Sequence, residues 1–155
     1  MKRLLDVALS LVALVLFFIP SVIIALVLVF KEKHPVFFRQ PRVGKNKQVF
    51  EILKFQTLVD RIPTPTGTLL RATGIDEIPQ FINVLRGDMS IVGPRPYMPE
   101  LDEEFRRQTT GYRTRHLVKP GITGLAQSLG FRGEILEQEM LRRRVYWDVH
   151  YITHW

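Results

Sequence analysis

The 155-residue chain contains no cysteine. Disulfides, thiolate-bound zinc, iron–sulfur clusters and cysteine nucleophiles are therefore all excluded. Two glycine-rich nucleotide cradles, G-x-x-x-x-G-K-S/T and G-x-G-x-x-G, are also missing. The four histidines lack the spacing that zinc proteases use. These absences remove most of the common metal and nucleotide sites.

Acidic residues are scarce relative to basic ones, 15 against 22, and 15 of the basic residues are arginine. The formal net charge is +7. The arginine guanidinium is a planar fork that binds phosphate oxygens two at a time. Such a basic excess suits nucleic acid, anionic lipid or a phosphorylated substrate. Because no RNA- or DNA-binding signature is present, we expect lipid and phosphate as partners and no nucleic acid.

The longest uncharged stretch covers residues 7–30 and is almost entirely aliphatic or aromatic. As a helix, it reaches roughly 36 Å, against a hydrocarbon core of about 30 Å. A signal peptide is disfavoured because the stretch is longer than a typical signal core and no small-residue cleavage site follows Phe30. The stretch therefore predicts a membrane segment.

Pro20, near the middle of this stretch, argues against a simple transmembrane helix, because a mid-helix proline costs on the order of 3 kcal/mol. Basic residues flank both ends, and they favour the cytoplasmic side of a membrane. A re-entrant helix that breaks at Pro20 satisfies both observations, with Ser21 helping to satisfy the freed backbone groups. Its arms, residues 7–19 and 20–30, are each too short to cross alone. On these residues, the re-entrant and spanning interpretations both stay open.

The remainder of the chain alternates short predicted elements with rigid loops. Residues 35–40 and 48–55 predict the strands of a β-hairpin around a turn over residues 41–46. Loops are predicted over residues 62–68, 91–99 and 116–124, and helices over residues 100–107 and 134–147.

Asp76 and Glu77 are two adjacent carboxylates at the start of a predicted helix. The helix should begin near Asp76, because Pro79 is tolerated only in a first turn, and end at Gly87. A helix N-terminus favours ionised carboxylates, and covalent catalysis at phosphorus requires an ionised aspartate. An ordinary N-cap role for Asp76 is the alternative interpretation.

Arginines surround this carboxylate pair in the sequence. Arg71 precedes Asp76 by five residues, and Arg95 stands between Pro94 and Pro96 on a stiff loop. Phosphoryl transfer needs positive groups fixed around the phosphate oxygens, so these arginines suit it. Ordinary surface charges are the alternative, and only the fold distinguishes the two.

Several long stretches together carry a family resemblance. They comprise Lys2, Arg3 and Asp6, the apolar stretch with Pro20, and residues 35–44, 54–57, 70–80, 83–96 and 118–127. On these residues, the chain resembles the monotopic phosphoglycosyl transferases, also called bacterial sugar transferases. The resemblance implies a mainly helical α+β fold with a re-entrant membrane helix over residues 1–33, broken at the proline. It also implies a β-hairpin and a cytoplasm-facing catalytic domain over residues 34–155, continuous with the membrane helix, at the bacterial inner membrane.

The resemblance further implies a two-step reaction. Asp76 attacks the β-phosphate of a UDP-sugar, which releases UMP and leaves an aspartyl-phosphosugar. Undecaprenyl phosphate then takes the sugar phosphate, starting exopolysaccharide or other glycoconjugate synthesis. Mg²⁺ is the implied cofactor, with Asp76 and Glu77 as its ligands, and Glu77 supports the chemistry. The implied residues for substrate and phosphate binding are Arg71, Arg95, Pro94, Pro96, Lys54 and Arg42. Homo-oligomerisation stays open.

Residues 130–134, 144–148 and 151–152 are similar to the hexose-1-phosphate branch of this family, which uses UDP-glucose or UDP-galactose. The chain also departs from the family pattern. Residues 58–69 form a shorter stretch than the loop usual in the family, and Thr73 and Gly74 replace the residues that usually precede the Asp-Glu pair. The chain also ends at Trp155, where family members normally continue. A truncated form, missing segments and a minimal natural form are the alternatives. An inactive membrane-anchored scaffold is a rival function. The D-x-D motif of the usual nucleotide-sugar glycosyltransferases is absent, which disfavours that enzyme class.

Overall fold

The computed structural model describes residues 1–131, 133, 135 and 137–154. Within these residues the chain is mainly helical with three two-stranded sheets, which confirms the predicted α+β class. The α-helices are α1 (Lys2–Leu16), α2 (Phe18–Leu26), α3 (Pro65–Thr73), α4 (Gln80–Arg86), α5 (Pro99–Gln108), α6 (Leu125–Ser128) and α7 (Gln138–His154). The strands are β1 (Phe37–Val43), β2 (Val49–Phe55), β3 (Leu58–Val59), β4 (Ile62–Pro63), β5 (Ser90–Val92) and β6 (Gly121–Thr123).

Contacts divide the chain into two compact units. The first comprises Met1–Gln40 and Ile52–Arg86, and the second comprises Pro41–Glu51 and Gly87–Trp155. Strands β1 and β2 form the predicted hairpin and contribute residues to both units. The proposed division at residue 33, between a membrane helix and a catalytic domain, stays a prediction.

The N-terminal helix is broken at Phe17, one turn before Pro20. Helix α1 ends at Leu16, and Phe17 leaves helical geometry with φ −93° and ψ 8°. Pro20 explains this position, because it has no N–H for the Leu16 carbonyl and its ring crowds that carbonyl four residues back. The Ser21 N–H donates to the Phe17 carbonyl at 2.9 Å, so the hydrogen-bond ladder resumes there. The break therefore lies at Phe17, where the sequence predicts it at Pro20 itself.

Helix α2 continues into a π-helical turn, Val27–Lys31. None of the described helices is by itself long and apolar enough to cross a membrane. The pair formed by Lys2–Leu16 and Phe18–Lys31, bent by 54°, has the length and composition of a broken span or a re-entrant segment.

The core of the first unit joins the end of the N-terminal helices to the elements that follow. Leu28, Phe55, Leu70 and Ile78 are buried together, each at most 7% exposed. Burying such a side chain contributes on the order of 1.5–3 kcal/mol, less the entropy of ordering it. These four residues fix the π-helical turn, β2, α3 and the turn after α3 as one packed group.

Residues 58–73 form a tight hairpin and a helix, so the loop predicted over residues 62–68 is wrong. Strands β3 and β4 pair antiparallel around Asp60 and Arg61, whose φ values of 50° and 68° suit a two-residue hairpin turn. The Thr64 hydroxyl then accepts a hydrogen bond from the Gly67 N–H, and Pro65 occupies the first helical position of α3. Thr64 and Pro65 begin a helix here, although the frequency of threonine and proline in loops favoured the prediction of a loop.

The second unit contains a short parallel sheet that the sequence patterns do not predict. β5 pairs with β6 in parallel, Ser90 opposite Gly121, within regions predicted as loops. A Cβ on Gly121 would lie 2.1 Å from the Gly93 nitrogen, so glycine permits this approach of two backbones. The sheet therefore depends on residues that resemble loop residues in sequence.

Two predicted helices occur in the second unit. The charged helix predicted over residues 100–107 is α5. The helix predicted over residues 134–147 corresponds to α7, which is described from Gln138 and continues to His154. Glu134 and Leu136, which the prediction included, lie outside the described residues. Side chains of α5, α7, the chain between them and the loop before α5 form the buried core: Tyr97, Phe105, Tyr112, Leu141 and Val145.

Candidate functional site

Asp76 and Glu77 lie in a single 3₁₀ turn, Ile75–Glu77, directly after α3. Gly74 makes this junction with φ +74°, a left-handed conformation that favours glycine. Gly74 occupies the N-cap position of the turn, so the N-cap interpretation of Asp76 is wrong. Both carboxylates lie in the first turn, as predicted, although the α-helix itself begins later, at Gln80.

Lys54, at the end of β2, contacts both carboxylates. Its ammonium nitrogen lies 2.6 Å from Glu77 Oε1 and 3.9 Å from Asp76 Oδ2. The side chains are 17% exposed for Lys54, 21% for Glu77 and 10% for Asp76. Little water screens charges at such exposure, so one cation offsets the repulsion between two adjacent anions. The structure thus brings together three residues of the predicted site.

A buried asparagine positions Lys54 relative to the carboxylates. Asn83, on α4, is fully buried, and its Oδ1 accepts a hydrogen bond of 2.9 Å from the backbone N–H of Leu53. This bond links β2, one residue before Lys54, to the helix that follows Asp76 and Glu77. The sequence interpretation did not identify Asn83. Its signal is a single amide within the otherwise apolar run of Phe81, Ile82 and Val84.

The C-terminal end of α4 is held by Arg3 of α1. The guanidinium donates to the carbonyl oxygens of Val84 at 2.5 Å and Leu85 at 2.9 Å. These are among the last carbonyls of the helix, which have no partner within it. On α1, Asp6 and Ser10 are also buried. Of Lys2, Arg3 and Asp6, which carry the resemblance near the N-terminus, Arg3 therefore supports α4.

Glu32, which the sequence interpretation did not single out, anchors the beginning of α3. Its Oε1 accepts a hydrogen bond of 3.2 Å from the Thr66 N–H, and its Oε2 lies 2.8 Å from His34 Nε2. A carboxylate is favoured at this end of a helix. Arg71 lies on the last turn of the same helix and is exposed. The predicted phosphate-binding arginine is thus carried by a helix whose first turn is fixed.

The other predicted binding residues belong to the second unit. Pro94 and Pro96 are buried, and Arg95 between them is half-buried. The Arg42 Nη1 donates to the Pro96 carbonyl at 3.5 Å, so Arg42 also reaches this loop. The structure therefore brings together these four predicted residues within the second unit.

A buried polar network lies beside this loop. Asp102 Oδ1 accepts a hydrogen bond from the Tyr112 hydroxyl at 2.8 Å and lies 2.9 Å from His116 Nε2. Burial raises the pKa of the Asp102 carboxyl, but the hydrogen bonds from His116 and Tyr112 and the charges of His116 and Arg115 outweigh burial, leaving the pKa below its usual value. Although Asp102 belongs to a highly charged helix, it is only 5% exposed and therefore does not face solvent.

Arg115 and Asp148 form a second buried pair, with Arg115 Nε 2.8 Å from Asp148 Oδ2 and both side chains 4% exposed. Burial raises the pKa of Asp148, and Arg115 offsets part of that rise. Sequence patterns did not identify either residue as part of a site, because a single arginine and a single aspartate 33 residues apart carry no local signal.

The arrangement in the first unit suits chemistry at phosphorus. Asp76 offers a carboxylate in a partly dehydrated turn, and Lys54 supplies a fixed positive charge beside it. Asp76 and Glu77 are oxygen donors of the kind that magnesium prefers. No group of three or more histidine, cysteine or acidic side chains able to hold a metal exists among the described residues.

The whole chain, residues 1–155, matches the family model described as bacterial sugar transferase. It is 40% identical to a UDP-glucose:undecaprenyl-phosphate glucose-1-phosphate transferase of Klebsiella pneumoniae, covering 99% of this chain and 36% of the relative. The Escherichia coli K12 protein of the same description is also 40% identical, covering 100% of this chain and 36% of the relative.

A third relative, from Aeromonas hydrophila, is described as a UDP-N-acetylgalactosamine-undecaprenyl-phosphate N-acetylgalactosaminephosphotransferase. It is 34% identical, over 97% of this chain and 38% of its own length. The chain thus spans just over a third of the length of these three relatives. Because the family model matches the chain from end to end, this chain belongs to the bacterial sugar transferase family.

Proposed function

We propose that this chain carries the catalytic centre that transfers a sugar-1-phosphate from a UDP-sugar to undecaprenyl phosphate. The observation that carries the proposal is the contact of Lys54 with Asp76 and Glu77 within the matched family segment. The relatives above are described as acting on UDP-glucose or UDP-N-acetylgalactosamine and undecaprenyl phosphate. More specifically, we expect the donor to be UDP-glucose or UDP-galactose, from which a hexose-1-phosphate is transferred.

In the proposed first step, a carboxylate oxygen of Asp76 forms a bond to the β-phosphorus of the UDP-sugar. The bond from that phosphorus to the bridging oxygen breaks, and its electron pair leaves with UMP. In the second step, an oxygen of undecaprenyl phosphate attacks the same phosphorus. The Asp76 carboxylate is then the leaving group, so the enzyme is regenerated.

Lys54 has two roles in this proposal. It places a positive charge beside both carboxylates, which offsets the repulsion between these two adjacent anions. It also offsets charge on the phosphate oxygens during transfer. Glu77 holds Lys54 at the site through their 2.6 Å contact. Arg71 supplies a further cation for the phosphates from the last turn of α3.

Arg42 and Arg95, with Pro94 and Pro96, form the second predicted set of phosphate-binding residues. Proline fixes its own φ and restricts the residue before it, so a loop with prolines on both sides of Arg95 has few conformations. Arg95 then loses little backbone entropy when it binds an anion. We propose that these residues of the second unit bind phosphate oxygens of a substrate.

Magnesium is the proposed cofactor. Mg²⁺ is usually held in proteins by one or two carboxylates together with substrate phosphates and waters. Asp76 and Glu77 supply such a pair, and the described residues contain no larger cluster of ligands. This donor set fits an ion bound with the diphosphate. When bound, the ion would shield the negative charge that repels the Asp76 carboxylate.

The membrane role rests on α1 and α2. The pair is bent by 54° and carries many exposed apolar side chains, among them Val15, Ile19 and Phe30. We propose a re-entrant segment at the cytoplasmic face of the bacterial inner membrane, in contact with lipid. Such a segment returns both ends to the side on which basic residues are favoured. It would hold the site level with the phosphate of undecaprenyl phosphate, at the start of exopolysaccharide assembly.

The test is UMP release by detergent-purified protein supplied with magnesium and undecaprenyl phosphate. UDP-glucose, UDP-galactose and UDP-N-acetylgalactosamine are offered separately. We expect release with at least one donor, and none from Asp76→Asn, because the neutral amide is a poor nucleophile. Asp60→Asn, an exposed aspartate in the β3–β4 turn, is the matched control and should keep activity.

Two further measurements sharpen this test. Without undecaprenyl phosphate, mass spectrometry should find a hexose phosphate on the peptide containing Asp76. Flotation with liposomes should recover wild type and Asp76→Asn equally, because Asp76 is far in sequence from the membrane segment. Folded wild-type protein that releases no UMP with any donor would refute the proposal and favour the scaffold alternative.

A further inference from the structure

The loop of Pro94–Tyr97 is held by its backbone carbonyls. Each of four consecutive carbonyl oxygens accepts a hydrogen bond from elsewhere in the second unit. The donors are Gly121 N to Pro94 O at 3.0 Å, Arg115 Nη2 to Arg95 O at 2.6 Å, Arg42 Nη1 to Pro96 O at 3.5 Å, and Val43 N to Tyr97 O at 2.9 Å. Prolines have no N–H, so carbonyls are the main means of fixing such a loop.

Arg115 makes the contact to Arg95 itself. Its Nη2 bonds the Arg95 carbonyl, while its Nε bonds Asp148 on α7. The guanidinium carbon also lies 4.7 Å from the ring centroid of Tyr97 and 4.9 Å from that of Tyr112. An arginine bound on its edges and stacked on its faces has one orientation. Arg115 therefore connects the Arg95 backbone rigidly to α7.

The turn that carries Arg115 is itself fixed. Arg115 lies in a 3₁₀ turn, Tyr112–Leu117, and its neighbours Tyr112 and His116 both contact the same oxygen of Asp102 on α5. As whole residues, all of these are at most 7% exposed. Arg115 is thus supported by α5 through its own turn and by α7 through Asp148.

We infer that Arg115 and Asp148 are positioning residues, which set where Arg95 presents its guanidinium to the substrate phosphates. The inference rests on the proposed function, since Arg95 binds phosphate only in that proposal. A buried ion pair is weak evidence for a stabilising role, because dehydrating both charges offsets most of their attraction. Precise placement of a phosphate-binding group, in contrast, changes rate steeply: a displacement of about 1 Å can cost on the order of a hundredfold.

A mutant cycle tests the inference. Because removing one partner would leave a buried charge unpaired, Arg115→Met and Asp148→Leu are made together, which leaves the net charge of the buried cluster unchanged. We expect kcat/KM for the UDP-sugar to fall by about tenfold to a hundredfold. In an Arg95→Ala background, the same double substitution should change kcat/KM less than about twofold, because the group it positions is absent. An equal loss in both backgrounds would overturn the inference.

A second readout does not depend on activity. Hydrogen–deuterium exchange of the Gly121 and Val43 amides, which donate to the Pro94 and Tyr97 carbonyls, should quicken in the double variant, because the loop loses its anchor at the Arg95 carbonyl. Arg143→Gln is the matched control: Arg143 lies on α7 beside Arg144, but its pair with Glu139 is exposed. It should alter neither exchange nor kcat/KM. Unchanged exchange in the double variant overturns the positioning role, whereas wild-type protein that releases no UMP overturns the proposed function instead.

Discussion

The ammonium nitrogen of Lys54 lies 2.6 Å from a carboxylate oxygen of Glu77. The two residues are 23 positions apart, on β2 and on the turn after α3. The same nitrogen is 3.9 Å from Asp76, so the closer contact is with the neighbour of the proposed nucleophile. This geometry places a cation beside Asp76 while the strong hydrogen bond is made by Glu77. It also makes Lys54 the residue with which to test the electrostatics of the pair.

Replacing Lys54 by methionine should lower UMP release about tenfold to a hundredfold. Methionine is an unbranched side chain only one atom shorter, but the charge that offsets two carboxylates is lost. The expected fall in rate corresponds to about 1.4–2.7 kcal/mol of barrier. Steady-state kinetics with a responsive UDP-sugar measures this. Lys47→Met, in the exposed turn of the hairpin, is the control and should keep its activity. Full activity of Lys54→Met would show that the proposed nucleophile does not depend on this cation.

Two glycines near the site should respond differently to alanine. Gly74 has φ +74° but open space where a Cβ would lie, so Gly74→Ala should cost only the left-handed strain, about 1–2 kcal/mol. At Gly67, a Cβ would lie 2.1 Å from the Thr57 carbonyl oxygen. Gly67→Ala should therefore cost about 3 kcal/mol or more, since backbone must move. Denaturant unfolding compares them, and the reverse order would contradict the packing of α3 on Thr57.

Acid should destabilise the protein partly through Asp102. The folded state holds the pKa of this carboxyl below its usual 3.8, so the unfolded state takes up the proton first. The stabilisation is present above about pH 4 and is lost as pH falls below that value. Melting temperatures between about pH 6 and pH 3 should therefore fall more steeply for wild type than for Asp102→Asn, which cannot ionise.

Asp60→Asn is the matched control for that titration, because Asp60 is an exposed carboxyl in the β3–β4 turn. Its melting temperature should follow the wild-type dependence on pH. Parallel curves for wild type and Asp102→Asn would mean that the contacts of His116 and Tyr112 with Asp102 do not favour the ionised form.

Pro20→Ala should reduce the bend between α1 and α2. Alanine restores an N–H for the Leu16 carbonyl and removes the ring that crowds it. Because the chain has no cysteine, Leu5→Cys with Phe30→Cys gives unique spin-label sites, both exposed. Straightening a 54° bend should lengthen their separation by about 4 Å, measured by pulsed electron resonance in detergent. Val22→Ala, at an exposed position of α2, is the control; an unchanged distance in Pro20→Ala would assign the bend to another cause.

The sequence predicted best where neighbouring residues decide the structure. The hairpin of β1 and β2, the charged helix α5 and the carboxylates in a first turn all follow from local patterns. The prediction of a loop over residues 62–68 failed because proline and threonine serve both loops and helix starts. The parallel pair of β5 and β6 was missed, because its strands are three residues long and 28 residues separate them. Short non-local pairings leave no periodicity to detect.

The sequence by itself determined which chemical groups are available to the site, the apolar segment, the break near Pro20 and the family. Each of these depends on residues that are contiguous in the chain. Tertiary structure alone decided which groups meet. Lys54 reaches Glu77, Arg3 reaches the Val84 carbonyl 81 residues away, and Arg115 reaches the Arg95 carbonyl. These contacts form because elements distant in sequence pack together and partly bury the groups. Burial strengthens such ion pairs and hydrogen bonds, and local sequence cannot specify which partners meet.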